Sequence, residues 1–138
     1  MSFLKKLFKS AHPKTGIIFI IEDNPAYSKM LEGYIIKHFP EVKDIRKFPV
    51  GETCIPELNV HPDLIIVDYF LDSRYPDAAS GLEIVKEIRA LKPEMNIAVL
   101  SAQKEIDIVL EAIQTLHCSY IKKDDFAFDR VGELIREM

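Results

Sequence analysis

Cysteine is scarce. The chain has two, Cys54 and Cys118, far apart and with no CxxC spacing among its 138 residues. That argues against a disulfide framework or a zinc ribbon, and the two read as small core residues of a reducing compartment. The four histidines, His12, His38, His61 and His117, are scattered with no HxxxH pattern, so the usual ligand spacing of a transition-metal site is missing. Long apolar runs are lacking too. The longest, such as "IIFII", hold about five residues, where a bilayer span needs about 20. Lysines interrupt each apolar stretch of the N-terminal "MSFLKKLFKSAHPKTG" before a signal-peptide core can form. Nor is there an excess of positive charge: the formal net charge is −4, which argues against the basic footprint that non-specific nucleic-acid binding requires. What is present suits one globular domain, with 48% hydrophobic and 29% charged residues.

The first 15 residues differ from the rest. They carry Lys5, Lys6, Lys9 and Lys14 and no acid, whereas the remainder is acidic. Phe3, Leu4, Leu7, Phe8 and Ala11 fall on one face of a helix. The plain reading of residues 1–15 is a short basic amphipathic extension, docked or frayed. The sharper one is an anchor to anionic lipid or a partner-binding helix, although a single short basic helix holds a membrane only marginally. The boundary falls near Lys14–Gly16, and residues 16–138 form one domain.

Within that domain short apolar runs alternate with amphipathic stretches. "GIIFIIED", "VKDIRKF", "DLIIVD", "NIAVLSA" and "CSYIKK" read as strands. Between and after them, Asn24 and Pro25 open a helix with Tyr27, Met30, Leu31, Tyr34 and Ile35 at helical spacing. "GETCIPEL" reads as a short helix disturbed by Pro56. "SGLEIVKEIRAL" directs Leu82, Ile84, Val85, Ile88 and Leu91 inward, "KEIDIVLEAIQTL" is a further helix, and "DFAFDRVGELIREM" is the last, with Asp124 or Asp125 as its cap. Five strand–helix repeats with strands apolar throughout imply an α/β fold, a parallel sheet covered by helices on both faces.

Ligands of open parallel sheets bind beyond the carboxyl ends of the strands. The first strand ends in Glu22 and Asp23, the third in Asp68, the fourth in Ser101, the fifth in Lys122 and Lys123. Acids after a strand are commonly helix caps when they occur singly. Clustered, they repel and raise one another's pKa unless a cation joins them. A hard divalent ion suits such a cluster, since it takes one or two protein carboxylates, waters and phosphate oxygens. A neighbouring lysine and serine would then bind further phosphoryl oxygens.

On "IIEDN", "PDLIIVDYFL", "GLEIVKEIR", "VLSA" and "YIKKD", in this order and spacing over residues 16–138, the chain resembles the receiver domain of two-component response regulators, of the single-domain chemotaxis type. The resemblance implies a flavodoxin-like, doubly wound (βα)5 sandwich with sheet order 2-1-3-4-5. It implies that Asp68 accepts a phosphoryl group from a phosphohistidine of a histidine kinase or histidine phosphotransfer protein. By the same resemblance Glu22, Asp23, Asp68 and the backbone carbonyl of Phe70 hold Mg²⁺, with Mn²⁺ as the alternative ion. Ser101 and Lys123 bind the phosphoryl group, and the family spacing Tyr-x-x-Lys selects Lys123 over Lys122. Ser101 and Tyr120 switch the surface of the fourth helix, fifth strand and fifth helix toward a downstream protein. Phe70 and Gln103 occupy the positions that tune dephosphorylation. A cytoplasmic signalling domain follows, monomeric or dimerising on phosphorylation, with no nucleic-acid partner and no turnover of an external substrate. There is no room in it for an output domain, so its signal passes by protein contact or the chain is part of something longer.

Departures from the family pattern bear on this reading. The small-residue turn before the fifth strand reads Leu116–His117, and a left-handed backbone would strain Leu116. Asp124 stands where the family has a cis proline, which favours a trans bond after Lys123. The glycine after the phosphoacceptor comes about eight residues on in the family and thirteen here, at Gly81, so "DSRYPDAAS" is an enlarged loop. Two rival readings are a receiver-fold adaptor that is never phosphorylated, and a phosphatase of the haloacid dehalogenase type. The full set of acids, hydroxyl and lysine opposes the first. The second needs an acid two residues after the nucleophile, where this chain has Phe70.

Overall fold

A computed structural model describes residues 14–70, 80–102 and 106–138; residues 1–13, 71–79 and 103–105 lie outside it, and with them the N-terminal extension, most of the enlarged loop and Gln103. The elements in chain order are β1 (Ile17–Ile21), α1 (Pro25–His38), β2 (Asp44–Phe48), α2 (Gly51–Val60, wound as a 3₁₀ helix), β3 (Leu64–Asp68), α3 (Gly81–Leu91), β4 (Ile97–Ser101), α4 (Ile106–Thr115), β5 (Ser119–Lys122) and α5 (Ala127–Glu137). All four strand pairings are parallel, and the sheet order is β2-β1-β3-β4-β5. This is the flavodoxin-like fold that the resemblance implied. The chain leaves β1 toward β2 on one side and reaches β3 on the other, so a crevice opens beyond the carboxyl ends of β1 and β3.

Side chains alternate across a strand, and each central strand here is apolar on both sides. Phe19, Ile21, Ile65, Val67, Ile97 and Val99 face one layer, with Cys54 and Leu58 of α2 and Ile84, Val85 and Ile88 of α3. Ile18, Ile20, Leu64, Ile66, Ala98 and Leu100 face the other, with Leu31 and Ile35 of α1 and Val131 and Ile135 of α5. Burying one such branched side chain contributes roughly 1.5–3 kcal/mol, so the two layers together hold the strand ends in fixed register.

The helix ends follow local chemistry. Asn24 caps α1, its Oδ1 accepting from the N–H groups of Ala26 (3.0 Å) and Tyr27 (3.1 Å), with Pro25 at the first helical position. Ser80 caps α3 by accepting from the Glu83 N–H. The stretch around Pro56 tightens into a 3₁₀ helix rather than a broken α-helix; proline has no N–H to donate. Before α5 the Asp124 carboxylate accepts from the Phe126 N–H at 2.9 Å, one turn ahead of the helix proper. Met30 and Leu91, placed inward by periodicity, are 61% and 53% exposed. Met30 sits one position before the buried Leu31 of α1, and Leu91 is the last residue of α3, three past the buried Ile88.

The turn before β5 is built differently from the family's small-residue turn, as the strain expected at Leu116 implies. Leu116 carries no left-handed strain; His117 takes that conformation instead, at φ 56°. A non-glycine residue there costs about 1–2 kcal/mol. Arg89 of α3 offsets it by donating to the carbonyls of Leu116 (2.9 Å) and His117 (3.2 Å), and to those of Pro93 and Met95 (2.8 Å each). The Lys123–Asp124 bond is trans, and no cis peptide occurs among the described residues.

Gly81 decides how the enlarged loop rejoins the sheet. A Cβ at this position would lie within 3 Å of the carbonyl oxygens of both Asp68 and Tyr69. Backbone cannot move aside as a side-chain tip can. Gly81→Ala should therefore lower the stability by about 1–3 kcal/mol, read as a drop in the urea midpoint. An unchanged midpoint would mean that α3 can shift away from β3 at no cost.

Candidate functional site

The crevice beyond β1 and β3 collects the acids. The backbone N–H of Glu22 donates to Phe48, extending the β1–β2 ladder one residue past the strand and fixing where Glu22 begins. The β1–β3 register pairs Ile21 with Val67, so the next residues, Glu22 and Asp68, stand side by side. Glu22, Asp23 and Asp68 each bring a carboxylate oxygen within 4.8 Å of the others. All three are largely buried, Glu22 at 4%, Asp68 at 6% and Asp23 at 9% exposure.

From β5, Lys123 reaches this cluster while Lys122 stays exposed. Its Nζ donates to Glu22 Oε1 at 2.6 Å and to Asp68 Oδ2 at 3.2 Å. Its backbone N–H donates to the Ser101 carbonyl at 2.9 Å, tying the end of β5 to that of β4. Ser101 is fully buried at the end of β4. The Tyr120 hydroxyl, half-buried against the core, lies 3.5 Å from the same carbonyl. Asp68 Oδ1 accepts from the Phe70 N–H at 3.2 Å, which folds the chain at residue 70 back over the carboxylate. The Phe70 ring is 48% exposed and meets the Tyr69 ring edge-on. Of the residues singled out from sequence, Glu22, Asp23, Asp68, Phe70, Ser101, Tyr120 and Lys123 thus gather at one edge of the sheet, and Gln103 lies outside the described residues.

Charge is out of balance. Three carboxylates face one ammonium among the described residues. Burial, aided by the hydrogen bond and negative charge of Asp68, pushes the Glu22 carboxyl up to about 7 despite the opposing pull of Lys123. Burial disfavours the Lys123 ammonium, but its bond to Glu22 and the Asp68 charge outweigh that and hold its pKa above the ordinary value. Glu22 Oε2 is buried with no hydrogen-bond partner among the described residues. An orphaned carboxylate oxygen inside an uncompensated acidic cluster is the environment a hard cation relieves, and the donor set is all oxygen. These residues therefore fit Mg²⁺.

Tyr27 belongs to the site and does not stand out in the sequence, where it reads as one more apolar position of α1. Lys123 Nζ sits 4.1 Å from the centre of its ring. The available signal was its place three residues after the Asn24 cap and four after Asp23, at the helix end that faces the acids.

The model of the response regulator receiver domain matches residues 18–136. The chain belongs to that family, the signalling domain that histidine kinases phosphorylate in two-component systems. It is 25% identical to the transcriptional regulatory protein MalR of Bacillus subtilis, over 82% of this chain and 46% of that protein. It is 28% identical to stress response regulator protein 1 of Scheffersomyces stipitis, over 93% of this chain and 45% of that one. The chain thus spans less than half the length of these curated relatives. Among solved structures, the response regulator TrrA of Thermotoga maritima, in complex with Mg²⁺ and a beryllium fluoride, superposes with a TM-score of 0.69 at 24% identity, covering 88% of this chain and 96% of that one. The NtrX receiver domain of Brucella abortus gives 0.71 at 21% identity, over 86% and 94%. These two likenesses establish the fold. Receiver domains bind Mg²⁺ at an acidic site, and this chain has a cluster of three acidic residues, Glu22, Asp23 and Asp68. Among the described residues no helix is long and apolar enough to cross a membrane.

The raised Glu22 carboxyl sets a pH dependence. In chelator, the folded state binds this proton more tightly than the unfolded chain, whose carboxyl titrates near 4.5. The contribution of protonated Glu22 is full below about 4.5 and is lost as pH rises through about 7. Urea denaturation in EDTA from pH 5 to 8.5 should show wild type losing stability relative to Glu22→Gln as pH rises. Parallel curves would contradict the charge imbalance.

Proposed function

We propose that this domain accepts a phosphoryl group on Asp68 and uses it to switch a protein-binding surface. The observation that carries the reading is the Lys123 ammonium bridging Glu22 and Asp68 inside a cluster of three buried carboxylates. An Asp68 oxygen attacks the phosphorus of a donor phosphohistidine in line. The N–P bond breaks, the imidazole leaves with its electron pair, and an acyl phosphate forms on Asp68. Lys123 is positioned to meet the charge on the transferring oxygens, and Ser101, buried at the end of β4, to hydrogen-bond the acquired group. Glu22, Asp23, Asp68 and the Phe70 carbonyl would hold Mg²⁺, which would supply charge neutralisation at the phosphoryl oxygens. Tyr120, whose hydroxyl meets the Ser101 carbonyl, links β4 to the surface of α4, β5 and α5. That surface is the proposed contact for a downstream protein, or for a second copy on phosphorylation. The donor is a histidine kinase or a histidine phosphotransfer protein, and the setting is cytoplasmic, in keeping with the free thiols of Cys54 and Cys118.

Incubation with acetyl phosphate, followed by intact mass and peptide mapping, tests this. One phosphoryl group should appear on Asp68 with Mg²⁺, disappear in EDTA and be absent from Asp68→Asn. Lys123→Ala should form it far more slowly. An adduct that needs no metal, or that survives in Asp68→Asn, would sink the reading.

Phe70 stands two residues past the acceptor, with its ring exposed at the rim. There it is placed to keep water off the acyl phosphate, so self-dephosphorylation should be slow. Phe70→Asn should shorten the lifetime of the phosphorylated protein, followed by loss of the mass adduct after donor removal. An unchanged lifetime would show that the ring does no shielding.

A further inference from the structure

Among the described residues the Lys123 ammonium meets Glu22 Oε1, Asp68 Oδ2 and the face of the Tyr27 ring. The two carboxylates cannot be constant partners. Under the phosphoacceptor reading, on which this inference rests, both are claimed by the metal, and Asp68 is consumed by the phosphoryl group. The ring face is different in kind. It attracts the cation through its quadrupole, ties up no N–H in a conventional hydrogen bond and competes for no metal site. We propose that Tyr27 is a positioning residue for phosphoryl transfer: its ring is the shelf that keeps Lys123 aimed at Asp68 while the carboxylates change partners.

The shelf is held from behind. The Tyr27 backbone N–H is fixed by the Asn24 cap at 3.1 Å, which sets the start of α1. Phe128 of α5 meets the ring edge-on, with centroids 5.4 Å apart. The ring packs against the layer that contains Leu31, Ile35 and Val131. Two elements on one face of the sheet therefore clamp it, leaving its other side to the ammonium. The phenol hydroxyl is buried without a hydrogen-bond partner among the described residues. Burial, with the negative charges of Glu22 and Asp68, holds its pKa above the ordinary value against the opposing pull of Lys123, so the phenol stays neutral. The ring, not the hydroxyl, carries the contact.

That distinction gives the test. Tyr27→Phe keeps the face and Tyr27→Leu removes it. With acetyl phosphate and Mg²⁺, Tyr27→Phe should match wild type in its maximal rate of Asp68 phosphorylation. Tyr27→Leu should lose roughly 3- to 30-fold, the range expected of a partly desolvated cation–ring contact. The loss should fall on the maximal rate at saturating donor. In wild type, the ε-methylene protons of Lys123, assigned through Lys123→Arg, should resonate upfield of those of the exposed lysines, because they adjoin an ammonium that sits over the ring. This NMR measurement needs no Tyr27 variant, so it can overturn the proposal even if Tyr27→Leu fails to fold. Equal maximal rates in folded Tyr27→Leu and wild type, an equal loss in Tyr27→Phe, or no upfield shift would each overturn the proposal. A wild type that forms no Mg²⁺-dependent adduct would instead overturn the phosphoacceptor reading itself.

Discussion

Among the described residues, three carboxylates held together by two neighbouring strands against a single ammonium form the constraint around which the rest of this domain is arranged. Apart from Lys123, everything that brings them close works against their charge. The β1–β3 register sets Glu22 beside Asp68, and the apolar layers behind them strip away water. Like charges at this distance and burial persist only if the surrounding core overrides them. The core does so because both faces of the central strands are filled, so β1 and β3 cannot slip without exposing a layer of isoleucine and valine. The site is a local loss offset by the packing beneath it. A cation and a phosphoryl group are the partners that would turn that loss into function.

The site draws on both helical layers. From one face, α1 supplies Tyr27 and α5 supplies Phe128. From the other, α3 brings Gly81 against the backbone of Asp68 and Tyr69. Arg89, two turns further along α3, grips the carbonyls of the turn that leads into β5, the strand that ends next to Lys123. A change at the Asp68 carboxylate therefore meets rigid elements on both sides of the sheet. It touches α3 through the close approach of Gly81, and it meets the end of β5 through the Lys123 ammonium, whose backbone N–H is bonded to the Ser101 carbonyl.

Much of this was legible in the sequence, for physical reasons. The five strands are continuous apolar runs because a parallel sheet is covered on both faces, and that pattern has few alternatives. The strand ends reveal the acids and Lys123 because a charge directly after a buried strand can go nowhere except the rim. Ser101 and Tyr120 follow from the family spacing, not from any property of their own. What could not be read is whatever depends on a meeting between distant side chains. Tyr27 is indistinguishable from a core position until α1 and β5 are placed side by side. Arg89 is one more exposed helix charge until the turn at Leu116–His117 comes beneath it, and that turn then shows why no glycine is needed: the arginine holds the carbonyls and histidine takes the left-handed backbone. Met30 lies about a quarter turn from the buried Leu31, and Leu91 keeps the period of Ile84 and Ile88 but is the last residue of α3; periodicity alone resolves neither.

Gly81 has a consequence for the length of what precedes it. With no side chain, it rests against the carbonyls of Asp68 and Tyr69, so the chain leaves β3 and returns to almost the same point before α3 begins. The intervening residues close a ring whose ends are fixed by the sheet and by the Ser80 cap. Closing such a ring costs little more as it grows: the step from about eight to thirteen residues adds only about 0.4 kcal/mol of closure entropy. On closure entropy alone the length of this segment can therefore vary at little cost, while Gly81 and the Ser80 cap hold its return beside Asp68.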